Sequence, residues 1–401
     1  MAKKLISVWL SLTILIFSSI SIYADEVIQG DFFLKNIVIN GENIVNYQLS
    51  NPILVYKNRT YIPLDTEMES ILGVDAEWDN ESRTLKILKT DPTQKNISER
   101  TVKNNLEGSR LTAYYDAEVI AYTEAQKVDA RLTGGQADAT ASDQDSRFIT
   151  AIQALFGTFS LFEEPDGSIA AQADNGETGE VQVPELTAVQ IELKGQPVLV
   201  KNAIVYVPIN AIVSCEMLGW SLYYDDYTGI YISTDDEIDA ASYFSAEKNR
   251  YYKALSAYIV KQNPKLKMSQ ALGMVKYFEA YGQIYGVDLK LLMAMAQTES
   301  TFKSNAISSA GCRGLMQIKV STGRAYGFTK DQLLQVKPNI QMGAMYISGC
   351  LKEFNGDRVK ALAAYNCGTY AVKKGKYKTG YANKILKRVD NIGSFIASYK
   401  G

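Results

Sequence analysis

Met293-Ala-Met-Ala-Gln-Thr-Glu299-Ser-Thr-Phe302, followed closely by Gly311-Cys-Arg-Gly-Leu-Met-Gln317, places one carboxylate at the end of an apolar helix. A glycine-punctuated loop then leads into a second helical start. Leu292, Met295 and Ala296 precede Glu299 by seven, four and three residues, so they share its helix face. A carboxylate on an apolar stripe is dehydrated by its neighbours, which raises its pKa and favours the protonated form nearer neutral pH. Such a group donates a proton to a leaving oxygen and later accepts one back. On its own, a glutamate at a helix end is more often an exposed residue with no role. What surrounds it in the sequence decides between the two readings.

Around this stretch the period is helical. Ala246–Gln262, Ser269–Tyr285 and Leu289–Ser300 carry apolar residues at three- and four-residue steps, separated by Asn263-Pro264 and Gly286-Val-Asp288. Upstream the pattern is short alternating runs broken by turn residues. Ile37-Val-Ile-Asn-Gly41 reads as a strand and turn, and Pro52–Pro63 as a hairpin turning at Lys57-Asn58. Asp65–Leu72 reads as a short helix ended by Gly73, and Trp78–Leu88 as a second hairpin turning at Asp79-Asn80. The plan recurs from Val189 to Ser233. Ile191-Glu-Leu-Lys-Gly195 answers the first strand, Val198–Pro208 the first hairpin, Leu218-Gly219 the helix end and Tyr224-Asp225 the second turn. Order and spacing agree, which marks an internal repeat. Tyr61, Trp78 and Tyr206 read as core residues of the two copies.

The fold class expected is therefore multidomain: α+β repeat modules followed by an α-rich domain. The boundaries are a leader over 1–24, repeat 1 over 25–90, an insert over 91–183, repeat 2 over 184–238, a helical linker over 239–268 and the α-rich domain over 269–401. In the insert, Gly134–Ser146 and Ala170–Gly179 read as exposed or disordered, and Phe148–Phe156 as a helix. The leader has Lys3 and Lys4, an apolar run from Leu5 to Ile20, and Ala24 before a cut ahead of Asp25. Its competing reading is an uncleaved anchor, as the run approaches the ~17 residues that span a bilayer. Either way the remainder is secreted or held in the cell envelope.

Composition narrows the chemistry. With 401 residues, 46% hydrophobic and 21% charged, the chain is an ordinary globular protein, and a net charge of −2 argues against nucleic acid as partner. There is no histidine, which removes Ser-His-Asp and Cys-His catalysis and His-containing zinc sites. Cys215, Cys312, Cys350 and Cys367 lack the spacing of a metal cluster, so no metal and no cofactor are expected. Carboxylates, tyrosines and amides are left to do any chemistry.

The run Glu299-Ser-x-Phe302, Asn305-Ala306, Ser308 and Gly311-x-x-Gly314-Leu-Met-Gln317 resembles the signature of the lytic transglycosylase family, which has a lysozyme-like fold. Asn339-Ile-x-x-Gly343-x-x-Tyr346, Ala363-Ala-Tyr365-Asn366-Cys-Gly368 and Gly380-Tyr381-Ala-x-x-Ile385 continue the resemblance in the family's order. It implies Glu299 as catalytic acid/base, with Ser308, Met316, Gln317, Tyr346, Tyr365, Asn366 and Tyr381 around the substrate. The implied partner is the peptidoglycan glycan strand of the bacterial cell wall. The implied reaction is cleavage of its MurNAc-GlcNAc β-1,4 bond, with the substrate's own 6-hydroxyl closing a 1,6-anhydro ring. Asp331, Glu353 and Asp357 are the next carboxylates and read as solvated charges, so a two-carboxylate mechanism lacks its second member. Hydrolysis of the same bond and a non-catalytic wall-binding or spacer role are the rival readings.

The chain departs from the family pattern at Cys312 and Cys367, usually small residues, and at Lys319-Val-Ser. A disulfide between Cys312 and Cys367 competes with two buried thiols. The two upstream copies resemble the small domain named for the N-terminal stalk of copper amine oxidases, which implies a binding or spacer module and, without His, no copper. Lys373, Lys374, Lys376, Lys378, Lys384, Lys387, Arg388 and Lys400 face only Asp390, either as a solvated helix face or as attraction to an anionic wall.

Overall fold

The structure, a computed structural model, describes residues 25–90, 92, 108–124, 159–163, 169–173 and 186–401. The leader over 1–24, most of the 91–183 insert and the helix expected over Phe148–Phe156 lie outside the described residues.

The N-terminal half is built from β1 (Glu26–Phe32), β2 (Asn36–Ile39), β3 (Glu42–Ile44), β4 (Leu54–Tyr56), β5 (Arg59–Leu64), helix α1 (Thr66–Leu72), β6 (Val74–Asp79) and β7 (Thr84–Lys89). Then come β8 (Ser109–Tyr114), β9 (Glu118–Glu124), β10 (Phe159–Glu163), β11 (Ile169–Ala173), β12 (Leu186–Gln190), β13 (Val198–Lys201), β14 (Ile204–Pro208), α2 (Ile209–Val213), β15 (Ser221–Asp225) and β16 (Gly229–Ser233). The local signals act as expected. Lys57 and Asn58 take positive φ between β4 and β5, Asp65 caps α1 by accepting from the Met68 N–H, and Gly73 ends it in the left-handed region. Asp79 accepts from the Glu81 and Ser82 N–H groups, and Asp225 does the same for Tyr227 and Thr228, so the two hairpins close on the same side-chain turn.

The strands are interleaved. β1, β4 and β5 close a barrel with β14, β13 and β8. Two parallel pairings then link segments distant in sequence. β7 runs parallel to β9 with Thr84 opposite Glu118, and β16 runs parallel to β2 with Gly229 opposite Asn36. Gly229 is required there, since a Cβ would lie 2.0 Å from the Asn36 carbonyl oxygen. Tyr61 and Tyr206 are buried in the barrel, whereas Trp78 is only half-buried.

Three expectations change. Ser109–Glu124, assigned to an insert, forms β8 and β9 of the paired sheets, because strand partners distant in sequence satisfy its backbone. Ile191–Leu193 is no strand. The strand is β12, just before it, and Ile191 is apolar because its side chain enters the β-region core. Ala170–Ala173, expected to be exposed or disordered, lies in β11 paired with β10.

The C-terminal half consists of α3 (Ala246–Gln262), α4 (Met268–Tyr285), α5 (Leu289–Glu299), a small ribbon of β17 (Cys312–Arg313) and β18 (Ile318–Lys319), α6 (Val320–Ala325), α7 (Val336–Glu353), α8 (Arg358–Cys367), α9 (Thr369–Lys373) and α10 (Gly380–Ser398). α3, expected as a linker, belongs to this body, because Leu255, Tyr258 and Ile259 are buried in the same core as α4, α5 and α7. Tyr47 from the β-region enters that core as well. The two halves are further tied by Asn249 on α3, which donates to both Asp225 oxygens at 2.8 Å.

Candidate active site

Asp288 starts α5 by accepting from the Leu291 N–H at 2.9 Å, and Leu291 through Gln297 are buried. Glu299 therefore sits at the end of a helix sunk in the core, itself half-buried. The turn that follows is fixed hard. Thr301 and Phe302 both take positive φ, an unfavourable backbone for non-glycine residues, and the buried Phe302 ring anchors them. Ser300 Oγ donates to the Leu315 carbonyl at 2.7 Å, tying the helix end to the glycine loop.

That loop is held from the other side by Asn339, fully buried in the first turn of α7. Its Nδ2 donates to the carbonyls of Arg313 (2.9 Å) and Leu333 (2.7 Å), and its Oδ1 accepts from the Met316 N–H (2.7 Å). Gly314 leaves room for this clamp, as a Cβ would lie 2.3 Å from Asn339 Nδ2. Gly343 likewise makes space for Met316, whose Sδ would be 2.2 Å from a Cβ. Gln317, at positive φ, turns its Nε2 back to the Gly314 and Ala306 carbonyls at 3.0 and 3.2 Å. Ser308 Oγ accepts from the Cys312 N–H at 3.0 Å and shapes the outer bend.

α8 and α10 close the site. Tyr365 donates to the Met316 carbonyl at 2.9 Å and packs on Tyr346 with ring centroids 5.3 Å apart. Tyr381 donates to Glu299 Oε1. Two turns further along α10, Arg388 donates to Thr298 Oγ1 at 3.0 Å. Burial raises the pKa of Glu299, partly offset by the Tyr381 hydrogen bond and the positive charge of Lys384. Burial and the Glu299 charge push Tyr365 and Tyr381 far up, so both remain hydroxyl donors at any working pH.

Glu299, Met316, Gln317, Tyr346, Tyr365 and Tyr381 thus come together from four helices and the glycine loop, far apart in sequence. Ser308 stands on the outer bend, and Asn366 is exposed at the end of α8. The chain uses its other nearby carboxylates locally. Asp357 caps α8, Glu353 pairs with Lys373, and Asp331 is exposed beside a short 3-10 turn. Neither group acting electrostatically on Glu299 is a carboxylate. Cys312 and Cys367 are free thiols, half-buried and exposed respectively, so neither the disulfide nor a pair of buried thiols is present. The sequence shows Ser300 and Asn339 as motif positions only and Arg388 as one cation of the basic tail. A polar residue at the first turn of an apolar helix was the available signal for Asn339.

Residues 276–387 match the family described as the transglycosylase SLT domain, and the helical half carries that domain. Membrane-bound lytic murein transglycosylase F of Pseudomonas putida (strain GB-1) is 37% identical over 101 residues, 23% of this chain and 20% of that protein. The transglycosylase of Enterobacteria phage PRD1 is 30% identical over 121 residues, 29% of this chain and 44% of its own length. The crystal structure of the 70 kDa soluble lytic transglycosylase from Escherichia coli aligns with a TM-score of 0.30 at 19% identity, over 38% of this chain and 31% of that one. The chain spans a fifth of the Pseudomonas relative and under half of the phage one. Among the described residues, no helix is long and apolar enough to cross a membrane.

Proposed function

We propose that the protein is a peptidoglycan lytic transglycosylase that cuts the MurNAc-GlcNAc β-1,4 bond and leaves 1,6-anhydro-MurNAc ends, with Glu299 as its one acid/base. The observation carrying this reading is a half-buried carboxyl whose only hydrogen-bond partner among the described residues is a neutral hydroxyl, with no carboxylate acting on it. Raised by burial, Glu299 protonates the glycosidic oxygen as the bond breaks. The substrate's N-acetyl group assists at the anomeric carbon. The Glu299 carboxylate then takes the proton of the 6-hydroxyl as that oxygen bonds to the same carbon, so the acid is regenerated and no water is consumed.

Tyr381 serves both halves of the cycle, because its hydrogen bond strengthens once Glu299 is anionic. Met316 and Tyr365 shape the wall, and the polar edges of Gln317 and Ser308 with the ring of Tyr346 meet the sugars. Asn366, at the end of α8, borders the same side. The β-rich half is a spacer or wall-contacting unit of the stalk-like kind, delivered outside the cytoplasm by the leader over 1–24.

Mass spectrometry of digested sacculi tests the chemistry. Anhydro-muramoyl products are expected from the native protein and none from Glu299→Gln. Reducing muramic ends in their place establish hydrolysis, and sacculi left whole while still binding the protein establish a non-catalytic wall binder.

A further inference from the structure

α10 turns Tyr381, Lys384 and Arg388 along one stripe, at steps of three and four residues. The two ends of the stripe are fastened to α5, Tyr381 to Glu299 and Arg388 to Thr298. Lys384 lies between them, exposed, and among the described residues it has no ion pair and no hydrogen bond. Two other cations of the basic tail are engaged elsewhere. Lys373 pairs with Glu353, and Lys374 lies over the Tyr370 ring at 5.9 Å. Lys384 is the cation whose charge is felt at Glu299, where it works against the upward push of burial.

We propose that Lys384 is a specificity residue of this site, its ammonium pairing with a carboxylate that the glycan strand carries beside the bond being cut. The inference rests on the peptidoglycan reading above. Two sources share that chemistry, the lactyl carboxylate of a peptide-free muramoyl residue and the free carboxylates of an attached peptide stem. An unpaired cation one turn from Tyr381 orients the strand as Glu299 receives the glycosidic oxygen, and it discriminates against uncharged β-1,4 glycans of the same ring geometry.

The test compares the full chain with Lys384→Gln, Lys384→Glu and Lys384→Arg. Substrates are peptide-bearing sacculi, amidase-stripped glycan strands, and each of these with its carboxyls amidated. Lys384→Gln is expected to raise KM roughly 3- to 5-fold on the carboxylate-bearing form, as an exposed ion pair is worth. Lys384→Glu raises it further, and Lys384→Arg restores it. Amidating the substrate raises KM of the native protein by the same factor and leaves Lys384→Gln unmoved. Whichever substrate shows the factor, intact or stripped, identifies the carboxylate. Native KM for Lys384→Gln on both substrates overturns the inference, as does an equal shift of both proteins on amidation. Absence of any cleavage by the native protein instead removes the peptidoglycan reading, and this inference with it.

Discussion

Two helices of one bundle each hold an ionisable group out of water, Glu299 at the end of α5 and Lys276 in the middle of α4. Lys276 is 2% exposed, with its Nζ 3.1 Å from the Tyr252 ring centroid, 3.6 Å from the Glu279 carboxylate and 3.5 Å from Asn36 Oδ1 of the β-region. Burial pushes Lys276 down to about 7 even though Glu279 pulls it up, and Lys248 and Lys35 add to the fall. Both groups are therefore displaced by desolvation. The lysine is sealed between the two halves and surrounded by partners that also bind each other, as Tyr252 donates to Glu279 at 2.7 Å. The glutamate is half-open and has one neutral partner. A displaced ionisation marks chemistry only where the group can still meet a ligand, and elsewhere it marks a joint.

The sharpest way to break that contrast is Glu299→Gln. Cleavage should fall by about 10²–10⁴-fold, the ordinary contribution of a general acid, while the melting temperature holds or rises because a neutral amide replaces a desolvated acid. A thermal melt beside a digestion assay reads both, and an unchanged digestion rate removes Glu299 from its role.

Next in size is the joint. Glu279→Gln leaves Lys276 uncompensated and should lower the unfolding free energy by about 1–3 kcal/mol, less than the ~3–5 of a fully buried pair because Glu279 keeps 24% of its surface. Lys276→Met is expected to be neutral or stabilising at pH 7. The sign follows from linkage. Between about 7 and 10.5 the unfolded lysine holds a proton that the folded one lacks, so stability climbs with pH across that window. Lys276→Met should flatten the climb in denaturant titrations run from pH 7 to 10, and an unaltered slope contradicts the assignment.

The smallest effect is at Tyr381→Phe. Glu299 works as an acid only while protonated, so activity falls as pH rises through its pKa. The Tyr381 bond holds that pKa down against burial, and removing the bond should move the alkaline limb of kcat/KM to higher pH. The rate itself should drop about tenfold, the value of one hydrogen bond to a charged group. A limb that moves to lower pH contradicts this role for the hydroxyl.

Which parts of this were legible beforehand follows from where the signal resides. Turns and caps are local, so Lys57-Asn58, Asp65 and Gly73 announce themselves through their own backbone preferences. Glu299 and the loop to Gln317 are legible because the apolar stripe and the glycines at 311 and 314 lie within a few turns of one another. The parallel pairings of β7 with β9 and β16 with β2 left no local trace, since nothing in Thr84–Lys89 specifies whether its neighbour is β9 or another strand. Lys276 and Glu279 were passed over because a lysine and a glutamate three apart on a helix read as solvated surface until another domain covers them. Ser300 and Asn339 act on carbonyls fixed only by tertiary structure, and a sequence does not display which carbonyls lack a donor.

The interleaving of the β-strands also sets a schedule. Asn36 finds its parallel partner Gly229 only after nearly the whole β-region has left the ribosome, and β1 likewise waits for β8. The helical half draws on contacts much nearer along the chain, α3 with α4 and α8 with α7, and it is made after the β-region. Synthesis therefore delivers its slow-forming part first and its quick-forming part second. The surface that receives Tyr47 and Asn36 is assembled at about the moment the late-closing sheets come to need it.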